Sequence, residues 1–216
     1  SYATLNATAS FYRATFRGGT AFSMTTFSGK TDFSEATFSE RTDFSAAALS
    51  EQANLYMEFI GSERIYTMDT FGGAAHFYGA TFSGDANFSA ATFSGFADFS
   101  EATFSGKADF SKATFSGDAD FSGAIFSEGA YFPGATFSRK ADFSSAAFNL
   151  MANFSGATFH ELAYFKGSKV NRLVFDATLF TKYADFRGMV IGKLYYKCTS
   201  PAIVRGRIDF RNSSIY

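Results

Sequence analysis

Tryptophan is absent from this chain, cysteine occurs once, at Cys198, and proline twice, at Pro133 and Pro201. A single cysteine excludes an intramolecular disulfide framework, so packing alone must hold the 216 residues together. No apolar run approaches the length of a membrane span, and no stretch reads as a signal peptide. The chain begins at Ser1 without a Met, as a processed or shortened chain does, and nothing in it gives a compartment. Histidine is confined to His76 and His160, neither with a second ligand or triad partner nearby in sequence. The glycines follow serine at the ends of short words and form no phosphate-cradling loop. These absences point away from an enzyme. No catalytic residue, cofactor or metal ligand is expected.

What the chain does have is phenylalanine, 31 residues of it. All but Phe59 and Phe96 fall on one register, in which the step to the next core position mostly alternates between five and six residues. An unbroken run leads from Phe71 through Phe77, Phe82, Phe88 and Phe93 to Phe165, and an earlier one from Leu5 to Leu55. Steps of five and six would smear around a helix, and no ordinary strand alternation fits them. They specify a solenoid of very short strands that turn a corner every five or six residues. Within each word, Ala and Phe point inward, while the Thr or Asp between them and the following Ser point outward. The extra sixth residue, such as Lys107, Asp118 or Lys140, is expected to bulge at a corner.

Words such as Ala97-Asp98-Phe99-Ser100, Ala119-Asp120-Phe121-Ser122-Gly123 and Ala86-Asn87-Phe88-Ser89 resemble the pentapeptide-repeat family. The resemblance implies an all-β fold, a right-handed quadrilateral β-helix with four faces per coil, and the extra residue in every second word makes that coil about 22 residues. It extends over residues 1–192, with an irregular stretch at 56–70 and a C-terminal cap or docking segment at 193–216. In the irregular stretch the core positions are expected at Leu55, Ile60 and Tyr66 or Ile65.

Charge is distributed unevenly. Residues 1–160 carry 9 Lys/Arg against 16 Asp/Glu, whereas residues 161–216 carry 10 against 4. The rod is therefore expected to be dipolar along its length, which favours head-to-tail attraction or an acidic partner for the basic end. Open ends of a solenoid present unpaired strand edges. Ser1-Tyr2-Ala3-Thr4-Leu5 already reads as a repeat word, so the first coil has no cap within this sequence. The leading expectation is a non-enzymatic rigid scaffold that binds itself, as filament or dimer, or another protein, with no direct nucleic-acid contact. Residues 1–5 and 205–216 form the contact edges, with Tyr2, Leu5, Phe210, Ile215 and Tyr216 as end contacts. The off-register Phe59 and Phe96 are candidate side contacts.

Two outward ladders offer alternatives. Asp98, Asp120 and Asp142 stack in one column at 22-residue spacing. Asp is the family's outward polar residue and is expected to bond a local turn. Read functionally, the column is an acidic strip like that of family members that imitate duplex DNA and modulate DNA gyrase. Columns of Thr, such as Thr92, Thr114, Thr136 and Thr158, resemble an ice-binding face, although Ala48, Ile125 and Ala147 interrupt such columns and Thr favours strands in any case.

Overall fold

The computed structural model describes residues 3–5, 9–23, 25–27, 31–33, 35–40, 42–44, 47–49, 75–195 and 207–215. Four short strands make a coil. Ala97–Asp98, Thr103–Phe104, Ala108–Asp109 and Thr114–Phe115 occupy successive faces, and the next strand, Ala119–Asp120, pairs in parallel with the first. The register repeats at 22 residues: Ala97 faces Ala119, Thr103 faces Ile125, Ala108 faces Ala130, and Thr114 faces Thr136. Backbone groups are thereby matched from coil to coil, which a thin rod with so many corners requires. One face is an eight-stranded sheet; two other faces join into a sheet of fourteen strands.

The alternation within each word sorts side chains as the sequence predicts. In Ala91-Thr92-Phe93, for example, Ala91 and Phe93 are buried and Thr92 is exposed. The inward phenylalanines form four continuous columns. Phe99 stacks on Phe121 at 5.0 Å between ring centroids, and Phe121 on Phe143 at 4.9 Å, with the planes within 5°. Rings of neighbouring columns meet edge to face, as Phe110 does Phe121 at 5.3 Å and 86°. That arrangement places ring edges against ring faces, the favourable geometry for aromatic quadrupoles. Small alanines between the rings let the backbone come close enough to turn.

Each coil turns two of its corners with a residue in the left-handed region. At Phe99-Ser100-Glu101-Ala102 the Ala102 N–H donates to the Phe99 carbonyl at 3.2 Å while Glu101 has φ 54°. Glycine takes the equivalent place at Gly123 and Gly134, but Lys112 holds it with φ 58°. A side chain there is strained, and Lys112 is exposed. Lys112→Gly should raise stability by about 0.5–1 kcal/mol, read as a higher urea midpoint; an unchanged or lower midpoint contradicts the strain argument.

The corner residues lie where the sequence puts them, with Asp118 exposed and Lys107 and Lys140 half-buried. Two departures from the regular register carry information. The first lies between residues 49 and 75. There the pairing spacing doubles, so that Thr37 faces Thr81, Thr42 faces Ala86 and Ala48 faces Thr92. The rings follow: Phe38 stacks on Phe82 at 5.0 Å and Phe44 on Phe88 at 5.1 Å. No coil stands between them. Leu55, Ile60 and Tyr66 or Ile65, where core positions are expected, lie outside the described residues. Residues 56–70, and Phe59 with them, lie outside the described residues.

The second departure follows Ala147. Where the core steps shorten to five residues, the coil shortens to 21, as in Ala152 facing Leu173 and Ala163 facing Ala184. One corner is lost, and two faces run together as long strands at Ala147–Asn153, Lys169–Val174 and Val190–Tyr195. The segment Asn149-Leu150 carries one extra residue where the register shifts between Phe148 and Met151. Two inward positions here take hydroxyl residues, each satisfied by a backbone carbonyl: Ser168 Oγ donates to Phe165 in its own turn and Thr178 Oγ1 to Phe154 on the preceding coil, both at 2.8 Å. Further on, Arg207–Asp209 and Ser214–Ile215 pair on the preceding coil, Asp209 facing Asp185 and Ile215 facing Ile191.

Candidate interaction surfaces

The aspartate column is in place. His76, Asp98, Asp120 and Asp142 face one another on successive coils, followed by Tyr164, Asp185 and Asp209. Each carboxylate serves its own turn first. The Ser100, Ser122 and Ser144 amides donate to Asp98, Asp120 and Asp142 at 2.8–2.9 Å. Asn does the same work at Asn87 and Asn153, at 3.0 Å. Cations then interrupt the column: Lys140 pairs with Asp142 at 2.9 Å, Arg187 with Asp185 at 2.6 Å, and Arg211 with Asp209 at 2.7 Å. His76 lies 3.5 Å from Asp98.

Electrostatics differ along the column. Burial pushes the Asp120 carboxyl up, and the like charges of Asp98 and Asp142 add to this, over the opposing effect of its bonds from Ser122. At Asp209 the hydrogen bond from Arg211 dominates and holds the carboxyl at about 2, below its ordinary 3.8. The Asp209 contribution is thus present above pH 3.8 and lost as pH falls through about 2. Asp120 behaves oppositely: its ionisation disfavours the fold at neutral pH, and the penalty disappears once pH falls below the unfolded value. Asp120→Asn keeps the turn acceptor and should stabilise at pH 7 but not at pH 3, whereas Asp120→Ala should lose about 1 kcal/mol at pH 3 and less than that at pH 7. Thermal unfolding at the two pH values checks this; an Asn variant less stable than the parent at pH 7 contradicts it.

Among the described residues, the rings of the first and last coils are less buried than those between. Phe11, Phe16 and Phe22 are half-buried, although each stacks on a ring of the next coil, as Phe11 does on Phe33 at 4.7 Å. One coil further in, Phe33, Phe38 and Phe44 are fully buried. At the other end Phe210 stacks on Phe186 at 4.8 Å and remains 53% exposed. Leu5 and Ile215 lie in end strands. The side chains of Leu5 and Ile215 lie outside the described residues, as do Tyr2 and Tyr216. Phe11 and Phe210 belong to the same column of rings.

Of the off-register aromatics, Phe96 is half-buried at its corner, its ring 5.8 Å from His76 and edge-on to it. The basic C-terminal quarter is partly neutralised, since Lys182 pairs with Glu161 at 2.9 Å in addition to the two arginine pairs already named. Lys169 and Lys193 are exposed on the long strands and have no ion pair among the described residues. Sequence reasoning did not single out that flat flank; the shortened steps through Val170, Phe175 and Phe180 were its signal. Among the described residues, no helix is long and apolar enough to cross a membrane, and no group of three His, Cys, Asp or Glu could hold a metal ion.

Strands this short, four to a coil and each built on an Ala-x-Phe word, define a four-faced parallel β-solenoid. The family model described as pentapeptide repeats (9 copies) matches residues 1–55, 70–106 and 99–147, and the chain belongs to that family. The comparison with curated proteins finds no match. Among solved structures the chain is similar to one titled "Structure of QnrB1 (Full length), a plasmid-mediated fluoroquinolone resistance protein". That likeness has 18% identity and a TM-score of 0.31, and covers 100% of this chain and 93% of that one.

Proposed function

We propose that this chain is a rigid, non-enzymatic scaffold that associates with copies of itself through the ends of its solenoid. The observation that carries this reading is the partial exposure of four aromatic rings at the column ends, Phe11, Phe16 and Phe22 at one and Phe210 at the other. Phe11 and Phe210 lie in one column of rings, so one end laid on the other continues that column, with Phe210 over Phe11 of the next subunit. Such a contact is heterologous and does not close, so it propagates into a filament unless another contact stops it. The acidic body and basic C-terminal quarter reinforce the head-to-tail sense. A DNA-like acidic strip fits less well, because its carboxylates are bonded within their own turns and Lys140, Arg187 and Arg211 sit on them.

Sedimentation velocity tests the proposal. The parent chain should sediment progressively faster with concentration, and Phe210→Asp should hold it at the size of one chain while Phe210→Leu does not. Phe210 is at the surface, so the charge leaves the body of the solenoid folded. A Phe210→Asp variant that associates like the parent sinks the end-contact reading.

A further inference from the structure

The flank formed by the three long strands carries a surface of a different kind from the rest of the rod. Only four large apolar side chains among the described residues are markedly exposed, and two of them lie here or on the adjoining rung: Leu150 at 55% and Ile125 at 41%. Ile125 faces Ala147, which faces Lys169; Met151 faces Arg172, which faces Lys193. Lys169, Arg172 and Lys193 are all exposed, so two apolar residues and the half-buried Met151 run directly into three cations. Between them the outward Asn149 and Asn171 flank a groove of about 250 Å³ whose far end is Gly192. A side chain at position 192 would fill that end, since its Cβ would sit 2.7 Å from the Asn171 carbonyl oxygen and 3.0 Å from its Oδ1. The corner that elsewhere interrupts this side of the rod is gone, so the surface is continuous over three rungs at ~4.8 Å each.

We infer that this flank docks a segment of another protein in which acidic residues alternate with apolar ones. The apolar side chain enters the groove beside Asn149 and Asn171 and covers Leu150, while its carboxylate neighbours meet Lys169 and Lys193. Charge complementarity selects the sign of the partner, and the exposed Leu150 and Ile125 select a protein. A nucleic acid would satisfy the cations and leave both apolar side chains uncovered. Glu128, immediately before the Gly129 that faces Met151, bounds the surface on its N-terminal side and repels a longer acidic segment. The inference concerns the side of the rod and is independent of what its ends do.

The test uses the full chain and fluorescein-labelled peptides with alternating Asp and Leu, alternating Asn and Leu, or alternating Asp and Ser, together with a labelled duplex DNA. Fluorescence anisotropy at low salt should show saturable binding of the Asp–Leu peptide, with each of the other two peptides at least about tenfold weaker. The double variant Lys169→Glu/Lys193→Glu and the single variant Leu150→Asp should each reduce Asp–Leu binding by about tenfold or more. These side chains are exposed, so the circular dichroism of the variants should match the parent. The single variant Phe210→Asp should leave binding unchanged, which separates this surface from the end contact. Absence of saturable Asp–Leu binding overturns the inference, as does binding indifferent to both flank variants. Tighter binding of the duplex, lost in the lysine variant and retained in Leu150→Asp, also overturns it and makes the flank a phosphate-binding surface.

Discussion

Phe121→Ala should cost about 4 kcal/mol or more, near the top of the range for removing a buried aromatic side chain. Its ring is fully buried, sandwiched between Phe99 at 5.0 Å and Phe143 at 4.9 Å, with Phe110 and Phe132 edge-on at 5.3 and 5.5 Å. What makes the site severe is that it cannot collapse. The rings above and below are fixed by the backbone ladders of their own coils, so the hole stays one ring thick. Because each coil touches only its neighbours, the loss is local in origin and opens the stack at its middle. Hydrogen exchange should show protection lost first around residues 97–142, with a lower urea midpoint overall. By contrast, Phe210→Ala, at an end and half in water already, should cost about 1 kcal/mol or less. Similar costs for the two variants would contradict the columnar account of the core.

Gly106→Ala should be nearly as damaging for a change of one methyl group, at about 2–3 kcal/mol. A Cβ on Gly106 would stand 2.7 Å from the Gly84 carbonyl carbon and 2.8 Å from the Asp85 nitrogen. Both obstacles are backbone of the coil below, so no side-chain rotation relieves them. The corner must move outward, and it carries the Lys107 amide, which donates to Asp85 Oδ1 at 2.9 Å, with it. As a control, Gly79 has nothing within 4 Å of an added Cβ and pays only for its left-handed φ of 60°. Gly79→Ala should therefore cost about 0.5–1 kcal/mol. Chemical denaturation of the two variants side by side distinguishes close backbone approach from backbone conformation. Gly106→Ala at parental stability would contradict the first.

The phenylalanine register made the solenoid legible, although its period of five plus six residues is half a coil and the four faces came from the family resemblance. Once Phe99, Phe121 and Phe143 recur at 22 residues, stacking them is the only way to bury all three. The left-handed corners were less legible, since Glu101 and Lys112 occupy positions that glycine takes elsewhere. Direct closure across residues 50–74 was not legible at all. Leu55 and Ile60 fall on the apolar register there, and only coil-to-coil pairing reveals that Phe44 meets Phe88 without an intermediate. The loss of a corner after Ala147 was visible as a run of five-residue steps. Its consequence, a flat flank with Leu150 displaced outward, depends on three neighbouring strands acting together, which no single stretch of sequence states. The turn-binding role of the aspartates was readable from the repeat, whereas the cations that sit on Asp142, Asp185 and Asp209 come from different local words.

Negative-stain electron microscopy of the purified chain, over a range of protein and salt concentrations, tests the central claim most directly. Nine rings deep from Phe11 to Phe210, at ~4.8 Å per coil, the solenoid should appear in filaments with an axial repeat of about 43 Å that shorten as salt rises. Discrete single rods at every concentration would contradict end-to-end assembly.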